Sequence, residues 1–385
     1  MALLTWLPPI LLFYLPLAVA IGSCLYQLAV AIAALRFHFD KQEQPDYTPP
    51  VSILKPVHGV ERNFFATLAG FFQQDYPSYE IVFGLTDAKD SAAWTIAQLR
   101  REFPRVPVKV VVVPKSLATN PKMNKLERMV GEASHDVLVI SDADIRIERD
   151  YLRSVIRPLQ DQRVGMATCL YRGGHGGTWR SILEGLGMSG EFAGQVLLAR
   201  WLEGIRFGLG ATMATRKRQI TEIGGLAPWA DYLADDYILG SRIAAAGYQV
   251  RLSHTVVETL LPDRTLAETF QQQLRSARTI RACSPRGYPG LLFAYGVPLA
   301  LLPALYHPTA LALAVLDSAL VARWLAAWAA GVLVCRDKLV RYYFWLLPLR
   351  DLVGLIIWLA SFAGSEIVWR NVRFRLEPDG RIRPA

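Results

Sequence analysis

Two long apolar stretches constrain the fold of this 385-residue chain more strongly than any other feature of its sequence. Residues 2–35 contain no charged side chain, and this run is longer than the ~20 residues that a transmembrane helix needs. A cleaved signal peptide would have a basic start and a short apolar core, so we interpret this run as a retained anchor. The second stretch runs from about Leu291 to Gly364, and a hydrophobic content of 52% agrees with a membrane protein.

The second stretch predicts two crossings before Cys335, separated by the break YHP at residues 306–308. The segment that follows contains Arg350 and Asp351, and charged side chains at membrane depth are expensive. Basic residues flank both stretches, namely Arg36 and Lys41 after the first and Arg278, Arg281 and Arg286 before the second. Basic flanks mark the cytoplasmic side, so residues 37–288 are predicted to face the cytoplasm.

The end of the sequence is also basic, with arginines at positions 370, 373, 375, 381 and 383. A cytoplasmic tail conflicts with a complete third crossing, so we predict a re-entrant or interfacial segment around Arg350. The predicted organisation is a transmembrane anchor at 1–36, a cytoplasmic domain at 37–264, an amphipathic interfacial helix at 265–288, a transmembrane or re-entrant region at 289–364, and a basic tail at 365–385.

Net charge and cysteine spacing narrow the possible partners. The formal net charge of +9 suits anionic lipid headgroups and phosphorylated substrates. The membrane anchors make nucleic acid an unexpected partner. The cysteines are scattered without metal or redox spacing, and the cytoplasm would keep those of the central domain reduced; they are Cys24, Cys169, Cys283 and Cys335.

Residues 51–260 alternate short apolar runs with helical patterns. Strands are predicted at 51–57, 80–87, 108–114, 137–144 and 164–172, and helices near 61–74, 90–102, 122–134 and 150–159. Near-continuous apolar strands separated by helices predict an α/β domain whose parallel sheet is covered on both faces. No GxGxxG follows the first strand and no P-loop occurs, which disfavours a dehydrogenase and a P-loop enzyme.

The fourth predicted strand runs directly into two acids in the stretch VLVISDADIRIERD. On a strand, Asp142 and Asp144 would point the same way, ~6–7 Å apart. One of them could cap the helix that begins near Arg149. The pair also suits Mg²⁺ or Mn²⁺, which prefer carboxylate oxygen and often share ligation with substrate phosphates. This segment alone leaves both interpretations open.

Other polar residues are predicted at the same edge of the sheet, where ligands of such sheets bind. Asp87 follows a neighbouring strand and extends an acidic rim, while Asp90 is expected to cap a helix. Lys55 after the first strand and Lys122 in NPKMNK are candidates for phosphate contacts. Lys122 fits an exposed surface lysine equally well.

Two further segments carry candidate catalytic residues. In ADDY, Asp235 and Asp236 enter a helix at its start, where one could act as a cap and the other as a general base. Residues 265–281 form an amphipathic helix whose Arg278 and Arg281 are typical of a membrane surface. Arg275 with Gln272 could instead reach an anionic leaving group, because guanidinium suits phosphate oxygens.

The ordered series formed by Asp87, DAD at 142–144, ADDY at 234–237, Gln272 and Arg275 resembles the D, DxD, (E/D)D, (Q/R)xxRW series of family 2-like inverting glycosyltransferases. The stretches ILKPVHG, NPKMNKL, LADDYILG, RTIR and PLRD resemble the ceramide glucosyltransferase family, and RTIRACSPRGY resembles its bacterial hopanoid-biosynthesis branch. The resemblance covers nearly the whole chain.

This resemblance implies a GT-A, Rossmann-like catalytic domain with a UDP-sugar donor, a membrane lipid acceptor, and Mg²⁺ or Mn²⁺ as cofactor. It assigns Asp87 to the uridine and Asp142 and Asp144 to the ribose and the metal–diphosphate. Asp236 would be the base, Arg275 would stabilise the leaving group, and Lys55, Lys122 and Gln272 would contact the donor. Two positions depart from the family pattern: Ser276 stands in place of tryptophan and Asp235 in place of the more usual glutamate.

The expected function is inverting transfer of a sugar, with UDP-N-acetylglucosamine as preferred donor, to a hydroxyl of a hopanoid polyol. The first alternative is glucosylation of ceramide from UDP-glucose. An alternative of another class is a membrane scaffold that binds sugar nucleotide without transfer. The expected location is the bacterial inner membrane, with several crossings and the catalytic domain in the cytoplasm.

Overall fold

The computed structural model describes residues 10–40, 46–60, 63–114, 119–174, 177–369 and 372–385. The chain divides into two compact units. The helical unit comprises Met1–Lys41, His175–Gly204 and Asp263–Arg373, and the α/β unit comprises Gln42–Gly174, Ile205–Pro262 and Phe374–Ala385. Residues 175–204 thus join the apolar helices, and the end of the tail joins the α/β unit, so the units do not follow chain order.

The strands are β1 (Val51–Pro56), β2 (Tyr79–Leu85), β3 (Val108–Val112), β4 (Val137–Ile140), β5 (Ile145–Arg146), β6 (Val164–Gly173), β7 (Met213–Arg216), β8 (Gln249–Thr259), β9 (Glu366–Trp369), β10 (Val372–Leu376) and β11 (Ile382–Pro384). The α-helices are α1 (Leu15–Phe39), α2 (Phe64–Phe72), α3 (Ser91–Glu102), α4 (Pro121–Glu132), α5 (Tyr151–Ile156), α6 (Trp179–Gly187), α7 (Ala193–Glu203), α8 (Lys217–Glu222), α9 (Asp235–Ala245), α10 (Leu266–Cys283), α11 (Gly296–Tyr306), α12 (Ala310–Ala327), α13 (Lys338–Tyr343) and α14 (Leu347–Ser361).

The helical unit contains the apolar stretches. The described residues include four helices that are long and apolar enough to cross a membrane, namely Leu12–Phe39, Tyr288–Tyr306, Ala310–Val334 and Lys338–Ser361. The first nine residues of the predicted anchor lie outside the described residues. Two polar side chains of α1 donate hydrogen bonds to backbone carbonyls at the start of the second of these helices. Ser23 Oγ donates to Phe293 O at 2.6 Å, and Gln27 Nε2 donates to Ala294 O at 3.0 Å.

The charges of the last apolar segment have partners in the structure. Asp351 is fully buried, and both its carboxylate oxygens accept hydrogen bonds from Arg323 at 2.9–3.0 Å. Arg350 Nη2 lies 3.1 Å from Glu191 Oε2, and the other oxygen of Glu191 accepts from the Tyr295 hydroxyl at 3.0 Å. Pairing offsets the cost of charge in an apolar environment, so these residues are compatible with burial among apolar helices.

The α/β unit is built on an eight-stranded mixed sheet with the order β3-β2-β1-β4-β7-β6-β8-β5. The five strands predicted from sequence all occur and run in the same direction. The sheet is mixed and not parallel throughout as expected, because β7 lies antiparallel between β4 and β6, and β5 pairs antiparallel with β8. Helices α2, α3 and α5 pack on the apolar strands around a core that includes Ile53, Leu68, Phe71, Ile81, Phe83, Ile96, Leu99, Val139 and Tyr151.

Candidate active site

The acids of the DAD motif lie just beyond the end of strand β4. This strand ends at Ile140, and Asp142 and Asp144 occupy the turn that leads into β5. The expectation that they share one face of a strand is therefore wrong, because the strand ends before Asp142. The carbonyl of Asp144 accepts a hydrogen bond from the backbone N–H of Leu260 at 3.0 Å, which ties this turn to the segment after β8.

Lys122 joins the acidic turn to the start of helix α9. Its ammonium lies 2.8 Å from Asp142 Oδ1 and 2.8 Å from Asp235 Oδ2, and its side chain is only 14% exposed. The interpretation as an exposed surface lysine is therefore wrong. Burial by itself would lower the pKa of Lys122, but Asp142, Asp235 and Asp236 outweigh it and raise the pKa above its ordinary value. The lysine is a fixed positive charge among these acids.

The carboxyl of Asp236 follows Asp235 at the start of helix α9. Burial raises the pKa of its carboxyl to about 6, Asp235 raises it as well, and Lys122 opposes both effects. Asp236 Oδ1 accepts a hydrogen bond from the N–H of Tyr237 at 2.8 Å. A base with this pKa is ionised at neutral pH and still retains appreciable affinity for a proton.

Asp236 and Asp142 face a common space beside Gly210, a residue that sequence reasoning missed. A Cβ atom on Gly210 would lie 3.1 Å from Asp236 Oδ2 and 3.4 Å from Asp142 Oδ2. Only a residue without a side chain leaves the space in front of both oxygens open. The only sequence signal was the pair of glycines in GLG at residues 208–210.

Two other glycines let helix α9 approach the loop that precedes β7. A Cβ on Gly240 would lie 2.2 Å from the backbone N of Gly208, and a Cβ on Gly208 would lie 2.9 Å from the carbonyl O of Asp236. Phe207 and Tyr237 stack across this contact with ring centroids 5.9 Å apart. Close backbone packing therefore fixes the position of α9 and of the acids at its start.

Lys55 lies beneath the acidic turn. Its side chain is fully buried, and its ammonium donates to Ser141 Oγ at 3.3 Å and to the backbone carbonyl of Asp142. The same ammonium lies 3.6 Å from the centre of the Phe71 ring. Burial lowers the pKa of Lys55 to about 7, against the attraction of Asp142 and Asp144. Lys55 thus contacts protein oxygens and supports the turn from the sheet side.

Tyr171, at the end of β6, is a second residue that sequence reasoning missed. Burial raises the pKa of its hydroxyl, and the nearby Asp236, Asp142 and Asp144 raise it further. Its phenol is therefore protonated at neutral pH beside three carboxylates. Nothing in the sequence around Tyr171 distinguishes it from an ordinary strand residue, because its proximity to the acids arises only in the folded sheet.

Asp87 lies after β2 at the same edge of the sheet. It is exposed, and its Oδ1 accepts a hydrogen bond from the N–H of Lys89 at 2.9 Å. The ion pairs that Lys122 makes with Asp142 and Asp235 do not include Asp87. Asp90, by contrast, caps α3 as predicted, since its carboxylate accepts from the N–H of Ala92 at 3.0 Å.

Gln272 and Arg275 lie on helix α10, in the helical unit, where Arg275 donates to Gln272 Oε1. Their neighbours on the same helix bond to the end of α14 and the strand after it. Arg278 donates to the carbonyls of Ala363 and Glu366, and Arg281 donates to that of Gly364 at 3.0 Å. These arginines therefore bind carbonyls of the segment that connects α14 to β9 and of the first residue of β9.

The acidic cluster of Asp142, Asp144, Asp235 and Asp236 offers the carboxylate oxygens that Mg²⁺ or Mn²⁺ prefers. Gly210 leaves the space in front of Asp142 and Asp236 free for an additional atom. Within the described residues no group of three or more His, Cys, Asp or Glu side chains has the arrangement of a complete metal site. The acids present could supply only some of the ligands of such a cation, and a bound phosphate would have to supply others.

Comparisons with known proteins agree on one family. A family model described as Glycosyl transferase family 21 matches residues 14–382. Ceramide glucosyltransferase 1 of Caenorhabditis elegans is 24% identical over 359 residues, which are 88% of this chain and 74% of the relative. Ceramide glucosyltransferase 3 of the same organism is 25% identical over 238 residues, which are 60% of this chain. The aligned part is only 50% of that relative's length.

Among solved structures, the mannosyltransferase PcManGT from Pyrobaculum calidifontis, in complex with GDP-Man and Mn²⁺, has a TM-score of 0.53. The match covers 90% of this chain and 99% of the mannosyltransferase at 18% identity. At this identity the likeness concerns the fold, and it confirms the predicted GT-A, Rossmann-like α/β domain with an N-terminal apolar helix and further apolar helices after it.

Proposed function

The chain belongs to glycosyl transferase family 21, and from this membership we propose that it transfers a sugar from a nucleotide sugar to a hydroxyl group of a membrane lipid. The observation that carries the proposal is the cluster of Asp142, Asp235 and Asp236 around Lys122 at one edge of the sheet. It combines a candidate base with acids that suit a metal-bound diphosphate. The apolar helices support a lipid acceptor.

The finer proposal is UDP-N-acetylglucosamine as donor and a hopanoid polyol as acceptor. It rests on the resemblance of RTIRACSPRGY to the hopanoid-associated branch. Glucosylation of ceramide from UDP-glucose is the second candidate, and the names of the C. elegans relatives support it. No residue of the acidic cluster separates the two candidates, because it would bind the donor and activate either hydroxyl.

The proposed reaction is a single displacement with inversion at the sugar carbon. Asp236 takes the proton of the lipid hydroxyl, whose oxygen forms the new bond to C1 while the bond from C1 to the diphosphate breaks. Asp142 and Asp144 would hold Mg²⁺ or Mn²⁺, and the ion would neutralise charge on the departing diphosphate. Asp87 is proposed to bind the uridine. Lys55 supports the acidic turn and Lys122 fixes Asp142 relative to Asp235.

Gln272 and Arg275 are proposed to contact the donor and the leaving diphosphate on the strength of the QxxR pattern alone. A guanidinium matches the geometry of phosphate oxygens better than an ammonium does. Ser276 replaces the tryptophan of the motif. A processive polysaccharide synthase is therefore disfavoured, because that tryptophan typically lines the acceptor channel of such enzymes.

We also propose that the catalytic domain faces the cytoplasm of a bacterial inner membrane, as the basic flanks of the apolar stretches indicate. The end of the tail belongs to the α/β unit, where Ile382 N donates to Asp231 O at 2.8 Å. An even number of complete crossings must therefore separate Pro262 from Phe374, although three candidate spans lie between them. We assign the incomplete crossing to Lys338–Ser361, which contains Arg350.

The test uses purified full-length protein in detergent with Mg²⁺ or Mn²⁺. UDP-N-acetylglucosamine and UDP-glucose are offered against bacteriohopanetetrol and ceramide, and mass spectrometry identifies the products. Transfer of one sugar to the hopanoid, with loss of transfer in Asp144→Ala, is the expected result. Transfer only to ceramide would favour the second candidate, and binding of UDP-sugar without transfer to any lipid would favour a scaffold.

A further inference from the structure

The last twelve residues, 374–385, form a strap on the α/β unit, and we use that name for them below. Strand β11 pairs antiparallel with the part of β10 that lies in the strap, with Phe374 opposite Pro384 and Leu376 opposite Ile382. Phe374, Leu376 and Ile382 are buried. The sequence suggested only a basic tail, but the alternation of these apolar residues with arginines is the pattern of a strand with one buried face.

The strap bonds to a short loop, Ala230–Leu233, which we call the base loop because it leads into the helix of Asp236. The N–H of Ile382 donates to the carbonyl of Asp231 at 2.8 Å, and the N–H of Leu233 donates to the carbonyl of Gly380 at 3.2 Å. Arg381 Nε donates to the Tyr232 hydroxyl at 3.3 Å, and its guanidinium lies 5.5 Å from the centre of that ring. Backbone and side-chain contacts thus hold the loop.

Asn120 also holds the base loop. Its backbone N–H donates to the carbonyl of Ala230 at 2.9 Å, and its Nδ2 donates to the carbonyl of Tyr232 at 2.9 Å. Asn120 is fully buried and also caps helix α4, since its Oδ1 accepts from the N–H of Lys122 at 2.9 Å. The base loop is therefore held by the strap and by the residue that caps the helix of Lys122.

The start of helix α9 depends on this loop. Asp235 is the first residue of α9, the preceding residue is Ala234, and no side-chain cap hydrogen bond holds this end of the helix. Without a side-chain cap, backbone contacts position the first turn: the N–H of Gly208 donates to the carbonyl of Asp236 at 3.2 Å on one side, and the segment that enters the helix holds the other. The segment here is the base loop, and the first turn carries both Asp235 and Asp236.

We propose that the strap is a positioning element for the catalytic acids, and that it acts through Arg381, the N–H of Ile382 and the carbonyl of Gly380, which hold the base loop together with Asn120. The proposal rests on the proposed function because it takes Asp236 as the base. None of these groups touches substrate; they act on Asp236 through the base loop. A shift of about 1 Å in a catalytic group can lower a rate by ~10²-fold, so modest changes in this loop should reduce turnover.

The test compares three full-length variants with the wild-type protein. Ile382→Pro removes the N–H that donates to Asp231, because proline has none. Arg381→Ala removes the contacts with Tyr232. It tests the same idea if the proline variant does not fold. Arg383→Ala is the matched control, since it removes an arginine of the same strap whose side chain is 72% exposed. Each variant is assayed for kcat, for the Kd of UDP-sugar, and for Tm.

The expected result is a fall in kcat of roughly tenfold or more in Ile382→Pro and a smaller fall in Arg381→Ala. The Kd of UDP-sugar should change much less than kcat, because Asp87 and Asp142, which are proposed to bind the donor, lie on other segments. Arg383→Ala should match the wild type. Loss of donor binding in parallel with kcat, or wild-type kcat in both strap variants, would show that the strap has no positioning role. A wild-type protein that neither binds nor transfers UDP-sugar would instead contradict the proposed function.

Discussion

At the scale of single residues, Asp236 carries the most specific chemical expectation. Asp236→Asn keeps the shape of the side chain and removes the base, so turnover should fall by ~10²–10⁴-fold, the usual contribution of general base catalysis. Binding of UDP-sugar should persist, because Asp236 is not assigned to the donor. The measurement is kcat together with the Kd of UDP-sugar on protein of unchanged Tm. Near wild-type turnover in the folded variant would exclude Asp236 as the base.

Gly210 provides a residue-scale test of the shared space between Asp142 and Asp236. In Gly210→Ala the new Cβ would lie 3.1 Å and 3.4 Å from their oxygens, so one carboxylate must move. We expect kcat to fall by ~10-fold or more while Tm changes little. Gly131→Ala is the control, since a Cβ there meets nothing within 4 Å in helix α4, and it should be neutral or slightly stabilising. Equal kcat values for the two variants would contradict the shared space.

Glu80 gives a prediction for the dependence of stability on pH. Burial raises the pKa of this carboxyl, but hydrogen bonds from Ser52 and Ser134 and the charge of Lys109 outweigh it and hold the pKa below 4.5. A lowered pKa means that the ionised group stabilises the fold above pH 4.5 and loses this effect as the pH falls through the folded-state value. Glu80→Gln should therefore lower Tm at pH 7 and much less at pH 3.5.

The matched control for that measurement is Glu102→Gln, because Glu102 is exposed on α3. It should leave Tm unchanged at both pH values. A difference between Glu80→Gln and the wild type that stays constant from pH 7 to pH 3.5 would mean that the lost effect is packing and not charge.

The residues that the sequence revealed are those whose type is informative by itself. Asp142, Asp144, Asp235 and Asp236 are acids at predicted strand or helix ends, and such positions restrict their roles. Gly210 and Tyr171 could not be recognised, because their significance depends on atoms that folding brings close from other segments. Lys122 was predicted only in part. The stretch NPKMNK marked it as a candidate for phosphate contacts, but the sequence did not predict its two carboxylate partners.

At the scale of secondary-structure elements, continuous apolar runs predicted the central strands and their common direction. Strand β7 was missed because MATR is only four residues long and has no apolar run to mark it. It pairs with both β4 and β6, so it turns a parallel sheet into a mixed one. The conformation of the DAD segment was also missed, because no glycine or proline after Ile140 marks the end of the strand.

The ion pair between helices α12 and α14 is testable at this scale. Arg323 and Asp351 are both buried, and removing one partner leaves an uncompensated charge, at a cost of about 3–5 kcal/mol. Asp351→Ala should therefore lower Tm strongly. Replacing both residues by leucine should restore much of the loss, since apolar pairs often substitute for buried ion pairs. Asp317→Ala, at an exposed site on α12, is the control and should leave Tm unchanged.

If Asp351→Ala and the double leucine variant had the same Tm, the pair would stabilise the protein through shape and not through charge compensation. Tm of the full-length protein in one detergent is the appropriate measurement, because it compares variants under the same conditions.

At the scale of the whole molecule, chain order and spatial organisation differ. Residues 175–204 lie in the middle of the predicted cytoplasmic domain, yet helices α6 and α7 belong to the helical unit. Residues 374–385 follow the last apolar helix, yet they complete the α/β unit. Composition identifies segments, but it does not reveal which distant segments share a core. The sequence therefore predicted the two kinds of structure and not the division of the chain between them.

This organisation makes a prediction about membrane topology. Because residues 374–385 bond to the base loop, both must lie on one side of the membrane, and the three candidate spans between them cannot all cross. Single cysteines are introduced at Arg383 and at Arg105, an exposed residue of the α/β unit. Both should react with an impermeant maleimide in the same type of vesicle, either right-side-out or inside-out. A cysteine at His307, between α11 and α12, should react only in vesicles of the opposite orientation.

The background for these labels is a variant in which the four native cysteines are replaced, since Cys24 and Cys283 are partly exposed. Labelling at Arg383 on the side opposite to Arg105 would require three complete crossings, and it would also be incompatible with the hydrogen bond between Ile382 and Asp231. Labelling of Arg383 and Arg105 on the same side means that an even number of crossings separates the α/β unit from residues 374–385. The side on which His307 is labelled then distinguishes two crossings from none. With His307 on the far side, α11 and α12 form the crossing hairpin, and Lys338–Ser361 enters the membrane without traversing it.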